Sequence, residues 1–223
     1  MLLAVDTSTH WIGVALYAQN QVLGEMVWQT NTHHSVELAP SIASLLKRCH
    51  CTAQDLKALA VALGPGSFTS LRIGLAVVKG MALGLHIPVI GVPSFDILAA
   101  SQPLIEKTVL MTLLQAGRGR MAVSTYRVVN TAWKSDGEIE VLPYDGIGEL
   151  VKGPTLVCGE MDDTLRQSLE RKRKKVTIAT PANNIRRPSV LAEIGWQRWQ
   201  ENQVDEVVSL APIYVHAVEP PPA

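Results

Sequence analysis

The residues with the clearest chemical potential lie at the end of the first apolar run, where the sequence reads LLAVDTST. A carboxylate at the end of a strand can hold a magnesium-bound water, and nearby hydroxyl and backbone N–H groups can hold phosphate oxygens. Asp6, Thr7 and Ser8 are therefore candidate residues of a nucleotide cleft. The same residue types also close turns by hydrogen-bonding to local backbone, and the motif alone favours this structural role.

A second candidate anion site is the stretch GPGSFTS at residues 64–70. It is not a Walker A loop, because no Gly-Lys-Ser/Thr follows the glycines. The N-terminus of a helix still offers free N–H groups, so an anion could bind at Ser67 to Thr69. The pattern favours a tight strand-to-helix turn in which Ser67 or Thr69 caps the helix.

The helix that follows is apolar on two sides. From Leu71 to Leu85 the charged residues are Arg72 and Lys79. A helix that lies on a sheet with its other side in water needs one apolar stripe, whereas this one has two. Glycines inside a helix each cost about 1 kcal/mol relative to alanine, and Gly80 and Gly84 share one face. The sequence therefore predicts a helix covered by its own sheet on one side and by a second subunit or domain on the other.

Metal-binding patterns are weak in this sequence. His33 and His34 have no second His one helical turn later, and Cys49-His50-Cys51 has no matching second half. We therefore predict no metal site. The low cysteine content, three residues including Cys158, fits a reducing compartment.

A run of five basic residues interrupts an otherwise neutral chain. Arg171, Lys172, Arg173, Lys174 and Lys175 are consecutive, and the formal net charge of the whole chain is zero. Such a run is usually a solvated loop or helix end. Contact with an RNA backbone is the second interpretation, because phosphate binding requires a local positive patch.

Composition indicates a globular protein outside the membrane. Of the 223 residues, 47% are hydrophobic and 18% are charged. The N-terminus lacks the basic region of a signal peptide, and no uninterrupted apolar run is long enough to span a bilayer. We predict a cytoplasmic protein that makes no membrane contact.

The order of predicted elements indicates an α/β fold. Three strands, a helix, a strand, a helix and a strand come first, and a similar order begins again near residue 108. A three-strand meander followed by α-β-α-β is the ribonuclease-H-like unit, and two in tandem form the actin/Hsp70-like ATPase architecture. We predict tandem ribonuclease-H-like domains at residues 1–103 and 104–217, the second one reduced, and a disordered tail at 218–223.

Several segments resemble, in order, those of the bacterial TsaB (YeaZ) family. They are AVDTSTHWIGVAL, THHSVELAPSIASLL, ALGPGSFTSLRIGLAVVKGMALG, PVIGVPSFDILA and LLQAGRGRMAVSTY. The resemblance is strong through residue 126 and weak afterwards, apart from APIYVH near the end. The family usually shows GPGSFTGLRIG, so Ser70 stands here in place of a glycine.

The resemblance implies a non-catalytic scaffold subunit of the complex that makes N6-threonylcarbamoyladenosine on tRNA next to the anticodon. It implies support of the catalytic subunit TsaD together with the ATPase TsaE, homodimers when the chain is alone, and tRNA contact through the complex. No cofactor is predicted for the isolated chain, and the boundary with partner subunits is a candidate place for ATP or ADP. The resemblance also implies a helical subunit interface, for which the candidate residues are Val36, Ala39, Ala43, Leu46, Ile73, Val77, Gly80, Met81 and Gly84.

A second position, besides Ser70, departs from the family pattern. Relatives commonly have Asp where Gln115 stands, opposite Asp6 in the cleft, and an amide weakens the case for a magnesium site unless a neighbour compensates. No catalytic residue is predicted. Two alternatives stay open, namely an ATP-dependent small kinase or ATPase of the actin-like superfamily that uses Asp6 to Thr9, and a tRNA-binding module that acts through Arg171 to Lys175.

Overall fold

The computed structural model describes residues 1–30, 33–117, 119–172 and 175–215. The chain forms two compact units. The first comprises Met1–Ile97 and Arg186–Ile213, and the second is built on Leu98–Ile185. The predicted tail at 218–223 lies outside the described residues.

The first unit is a five-stranded sheet in the order β3-β2-β1-β4-β5, with helices on its faces. The first three strands form an antiparallel meander, and β4 and β5 run parallel to β1. The elements are β1 (Leu2–Asp6), β2 (Trp11–Ala18), β3 (Gln21–Gln29), α1 (His34–Arg48), β4 (Ala58–Ala62), α2 (Phe68–Leu85), β5 (Val89–Val92), α3 (Ser94–Ala100), where the second unit begins, and α6 (Pro188–Gln200), after that unit.

The second unit repeats this arrangement. Its elements are β6 (Val109–Gln115), β7 (Arg120–Val129), β8 (Ala132–Ser135), β9 (Glu140–Pro143), α4 (Tyr144–Ile147), β10 (Thr155–Gly159), α5 (Asp163–Glu170) and β11 (Val176–Ile178). The sheet order β8-β7-β6-β10-β11 matches that of the first unit, strand for strand. The predicted tandem α/β fold is confirmed. The second unit is reduced because the 4-residue α4 stands where the first unit has the 15-residue α1.

Residue size separates the two faces of the first sheet. In β4, Leu59 and Val61 face a core formed with α1 and α2, whereas Ala58, Ala60 and Ala62 face α6. All five residues are buried. The strand is therefore covered on both faces, as its uninterrupted apolar run predicts.

The last helix packs on the first unit, which differs from the predicted boundaries at 1–103 and 104–217. Leu191 and Ala192 of α6 are buried against the alanine-rich face of the first sheet. A Cβ atom at Gly195 would lie 2.6 Å from the Cβ of Ala60, so glycine permits the close approach. The order of elements along the chain cannot predict that α6 packs on the first unit, because it does not show which sheet face is left without a helix.

Among the described residues, α2 is the one helix long and apolar enough to cross a membrane by length and composition. Leu71, Leu75, Val78 and Ala82 are buried within the first unit. These contacts with the sheet make α2 a core helix of the first unit.

Glu25 of β3 binds the start of α6. Its carboxylate accepts hydrogen bonds from the side chain of Arg187 and from the backbone N–H and hydroxyl of Ser189. An anion at a helix N-terminus is also stabilised by the helix dipole. Burial raises the pKa of Glu25, but the bonds from Arg187 and Ser189 outweigh it, so the pKa lies below its ordinary value of 4.5.

A Glu25→Gln variant should therefore lose about 1 kcal/mol of stability at neutral pH. A depressed native pKa contributes stability above the unfolded-state pKa, and this contribution is lost as the pH falls through the native value. Urea unfolding of both proteins between pH 7 and 3 should show a difference that disappears at the acidic end. The matched control is Glu138→Gln, at an exposed position. A difference that stays constant with pH would contradict the assignment.

Candidate functional site

The turn after β1 is buried and held by its own side chains. Asp6, Thr7, Ser8 and Thr9 are at most 5% exposed. The Asp6 Oδ1 atom accepts the Ser8 N–H at 2.8 Å, which closes the turn. The ring of His34, at the start of α1, donates from Nε2 to the Thr9 carbonyl at 2.7 Å. The candidate cleft residues of the first unit therefore lie together, but inside the protein.

A cation from a distant part of the chain lies on this turn. Arg186 donates from Nε to Asp6 Oδ2 at 2.9 Å and from Nη2 to Thr9 Oγ1 at 2.7 Å. The side chains of Arg186 and Asp6 are 3% and 4% exposed. Sequence reasoning missed Arg186 as a site residue, because no local motif links positions 180 residues apart.

The loop 64–70 packs directly on the same turn. Ser67 donates its N–H to the Ser8 carbonyl at 2.7 Å, and Thr7 Oγ1 donates to the Ser70 carbonyl at 2.8 Å. A Cβ atom at Gly66 would lie 1.9 Å from the Ser8 oxygen, so the glycine is required by close approach. The Ser67 side chain caps α2, as predicted. The loop uses its polar groups to bind its own chain, which supports a structural turn over a phosphate loop.

Gln115 lies in the second unit, at the end of β6. Its backbone N–H donates to Glu160 Oε2 at 3.2 Å, and Glu160 is 9% exposed. A carboxylate therefore accompanies position 115, although it comes from the residue after β10. The sequence of β6 alone cannot identify Glu160 as this neighbour.

The outer sides of α1 and α2 form an exposed small-residue surface. Both helices cover the same face of the first sheet and contact each other. We call this surface the α1–α2 face. Its exposed members are Val36, Ala39 and Ala43 of α1 and Gly80, Leu83 and Gly84 of α2, and its half-buried members are Ile73, Val77 and Met81.

Two positions differ from the predicted interface set. Leu46 is 8% exposed and packs in the core with Leu38 and Ile42, because it lies eight and four residues after them on the inner side of α1. Leu83, which the sequence interpretation left out, is 62% exposed. A Cβ atom placed at Gly80 or at Gly84 would meet no atom within 4 Å other than those of its chain neighbours and its own helix backbone, so the surface at both glycines is open.

Ser70, the substitution within the family motif, lies away from this face. It is 7% exposed, and its hydroxyl donates to Ser67 Oγ at 3.0 Å. Ser70 is therefore accommodated inside the first unit and is not part of the α1–α2 face.

Part of the basic run is engaged with its own unit. Lys172 donates from Nζ to the Gly148 carbonyl, and Lys175 donates from Nζ to the Lys152 carbonyl at 3.4 Å. Arg171 is exposed. Arg173 and Lys174, which the sequence interpretation included in a tRNA patch, lie outside the described residues. These bonds are typical of a stabilised loop, and the tRNA patch stays a prediction.

No group of three or more His, Cys, Asp or Glu side chains in the described ranges could hold a metal ion. Cys158 is buried, and burial raises its pKa to about 12. Its thiol is thus protonated and inert at neutral pH.

Comparison with known proteins places this architecture in a family. A family model described as "TsaD: tRNA N6-adenosine threonylcarbamoyltransferase" matches residues 21–150. The tRNA threonylcarbamoyladenosine biosynthesis protein TsaB of Bacillus subtilis is 31% identical over 98% of this chain and 95% of its own length. The chain belongs to the TsaB family. The Escherichia coli TsaB protein is 34% identical over a shorter region, 44% of this chain and 42% of its own length.

Solved structures agree on the fold of this TsaB family member. The structure described as YeaZ from Pseudomonas aeruginosa superimposes with a TM-score of 0.77 at 23% identity, over 96% of this chain and 99% of that one. A ROK hexokinase from Thermus thermophilus superimposes with a TM-score of 0.51 at 10% identity, over 90% and 99%. At these identities the likeness concerns the fold, which is that of actin-like ATPases.

Proposed function

We propose that this chain is a non-catalytic scaffold subunit of the complex that makes N6-threonylcarbamoyladenosine on tRNA, next to the anticodon. Its partners are a TsaD-type catalytic subunit and a TsaE-type ATPase. It forms a homodimer when alone, acts in the cytoplasm and meets tRNA through the complex. The names of its TsaB relatives support the pathway, and the α1–α2 face supports the scaffold role.

The α1–α2 face is the observation that carries this proposal. Exposed Leu83 lies beside Gly80 and Gly84, on a helix whose opposite side already supplies the core of the first unit. Glycines in an exposed helix cost stability without improving the packing of the isolated chain. They do allow a second backbone to approach closely, so a partner that covers this face explains both the glycines and the exposed apolar side chains.

The geometry at Asp6 supports a role without chemistry of its own. A magnesium ion takes oxygen ligands at about 2.0–2.1 Å and retains several waters. The buried Asp6 carboxylate is instead bonded to Arg186 and to the Ser8 N–H. The arrangement does not fit a metal or a metal-bound phosphate in this unit, which disfavours the kinase or ATPase alternative. ATP or ADP is proposed at the boundary with a partner subunit.

Reconstitution tests this function. The chain is mixed with the TsaD-type and TsaE-type subunits of the same organism, with tRNA, ATP and threonylcarbamoyl-AMP, and the modified nucleoside is measured by mass spectrometry. We expect product with the full mixture, and none with the chain alone or with the mixture that lacks it. Product from the chain alone would show that it is an enzyme. Equal product without the chain would show that it has no part in the reaction.

A further inference from the structure

Asp6 and Arg186 form a deeply buried ion pair, and the proposed function gives its two charges no role in a reaction. Its two side chains are 4% and 3% exposed, whereas those of the neighbouring Arg187–Glu25 pair are 50% and 14% exposed. A buried charge is costly unless it is paired and hydrogen-bonded. The buried carboxylate of Asp6 therefore needs a cation beside it, and Arg186 supplies that cation.

The hydrogen bonds show how completely the turn is satisfied. One carboxylate oxygen of Asp6 accepts from Ser8, and the other accepts from Arg186. The same guanidinium also bonds to the hydroxyl of Thr9. Carboxylate and hydroxyl oxygens are ligands that a divalent cation prefers, and here the guanidinium lies against both of them.

We propose that Arg186 acts as the internal cation of the Asp6 turn, in place of a metal ion, and closes this turn to divalent cations and to phosphates carried by them. Arginine side chains stay protonated at physiological pH, so the turn keeps its internal cation under those conditions. The fork of donors on arginine matches the Asp6 and Thr9 oxygens together, which a lysine could not do with the same geometry. This inference does not depend on the partners or on the reaction proposed above.

A plain structural role for Arg186, such as anchoring the chain ahead of α6, makes a different prediction. An anchor that is removed weakens the fold but creates no new binding site. An internal cation that is removed leaves an anionic pocket lined by hydroxyl groups, and that pocket should take up a divalent ion. A measurement of metal binding therefore distinguishes the two roles, whereas a measurement of stability alone would not.

Manganese binding followed by electron paramagnetic resonance provides the test, on the full chain. Arg186→Ser should bind Mn²⁺ at least about tenfold more tightly than wild type, since a positive charge next to the carboxylate is removed. Arg187→Ser is the matched control, because it removes an adjacent arginine that pairs with Glu25, and it should behave as wild type. The double variant Asp6→Asn, Arg186→Ser should lose the added binding.

Two outcomes would overturn the proposal. One is Mn²⁺ binding by wild type that Asp6→Asn abolishes, because the turn would then already be open. The other is a folded Arg186→Ser variant that binds Mn²⁺ no better than wild type. If that variant does not fold, Arg186→Gln is assayed in the same way, since it keeps a hydrogen-bond donor and removes the charge. Circular dichroism of each protein establishes that it is folded.

Discussion

Gly80→Arg should separate the chain from any partner that covers the α1–α2 face and leave the chain folded. Apart from its chain neighbours and the backbone of its own helix, no atom lies within 4 Å of the position where a Cβ would be placed at residue 80, so the isolated unit has room for the side chain. In a complex the arginine would stand between two backbones and would bury a charge without a partner. Such a group costs several kcal/mol, and we expect association to weaken by at least about 100-fold.

Light-scattering chromatography and co-purification with the TsaD-type subunit measure this effect. The matched control is Gly153→Arg in the second unit, where a Cβ would also meet no atom within 4 Å. The control should associate as wild type does. If folded Gly80→Arg keeps both its own dimer and its pairing with the TsaD-type subunit, the α1–α2 face is not the interface, although a role in tRNA modification could still stand.

Two alanine substitutions in α2 should have opposite effects on stability. At Gly74 a Cβ would lie 2.2 Å from Thr7 Oγ1 and 3.2 Å from Thr7 Cβ. The Thr7 hydroxyl is fixed by its bond to the Ser70 carbonyl, so the contact cannot be relieved by a simple rotation. We expect Gly74→Ala to destabilise the protein by about 1–3 kcal/mol. Gly80→Ala, in open space, should stabilise it by up to about 1 kcal/mol.

Urea unfolding of the two variants and wild type measures these changes. The comparison is internally controlled, because both positions lie in one helix and both receive the same methyl group. Changes of the same sign would mean that the packing of α2 on the Asp6 turn is looser than the contacts indicate. A stabilised Gly80→Ala variant that also associates more weakly would add support to a close backbone approach at this glycine.

Periodicity and element order predicted much of this molecule from the sequence. The repeat of strand and helix signals in both halves predicted the tandem α/β fold, and the two stripes of α2 predicted a second apolar side that faces away from the sheet. It was harder to predict which residues lie on the side that faces away from the sheet. A helical period fixes the spacing of apolar residues, but the position of the sheet decides which residues point inward. Leu46 was therefore assigned to the interface although it packs in the core, and Leu83 was left out although it is exposed.

Long-range pairing could not be predicted in the same way. Nothing in the sequence around Asp6 indicates that a residue 180 positions away supplies its counter-ion, and nothing around Gln115 indicates Glu160. Charged residues carry no periodic pattern that would name their partners. The uninterrupted apolar run of β4 predicted a strand covered on both faces, but only the packing of Gly195 on Ala60 identifies α6 as one of the covers.

Because the chain is synthesised from its N-terminus, the late position of α6 has a consequence for folding. A ribosome completes β1 to β5 and then the whole second unit before Pro188 emerges. During that time the alanine-rich face of the first sheet lacks the cover that α6 provides and is an apolar surface open to wrong contacts. The first unit, although begun first, is finished last. Chains released before Pro188 should therefore aggregate or be degraded, even though every residue of the α1–α2 face has already been made.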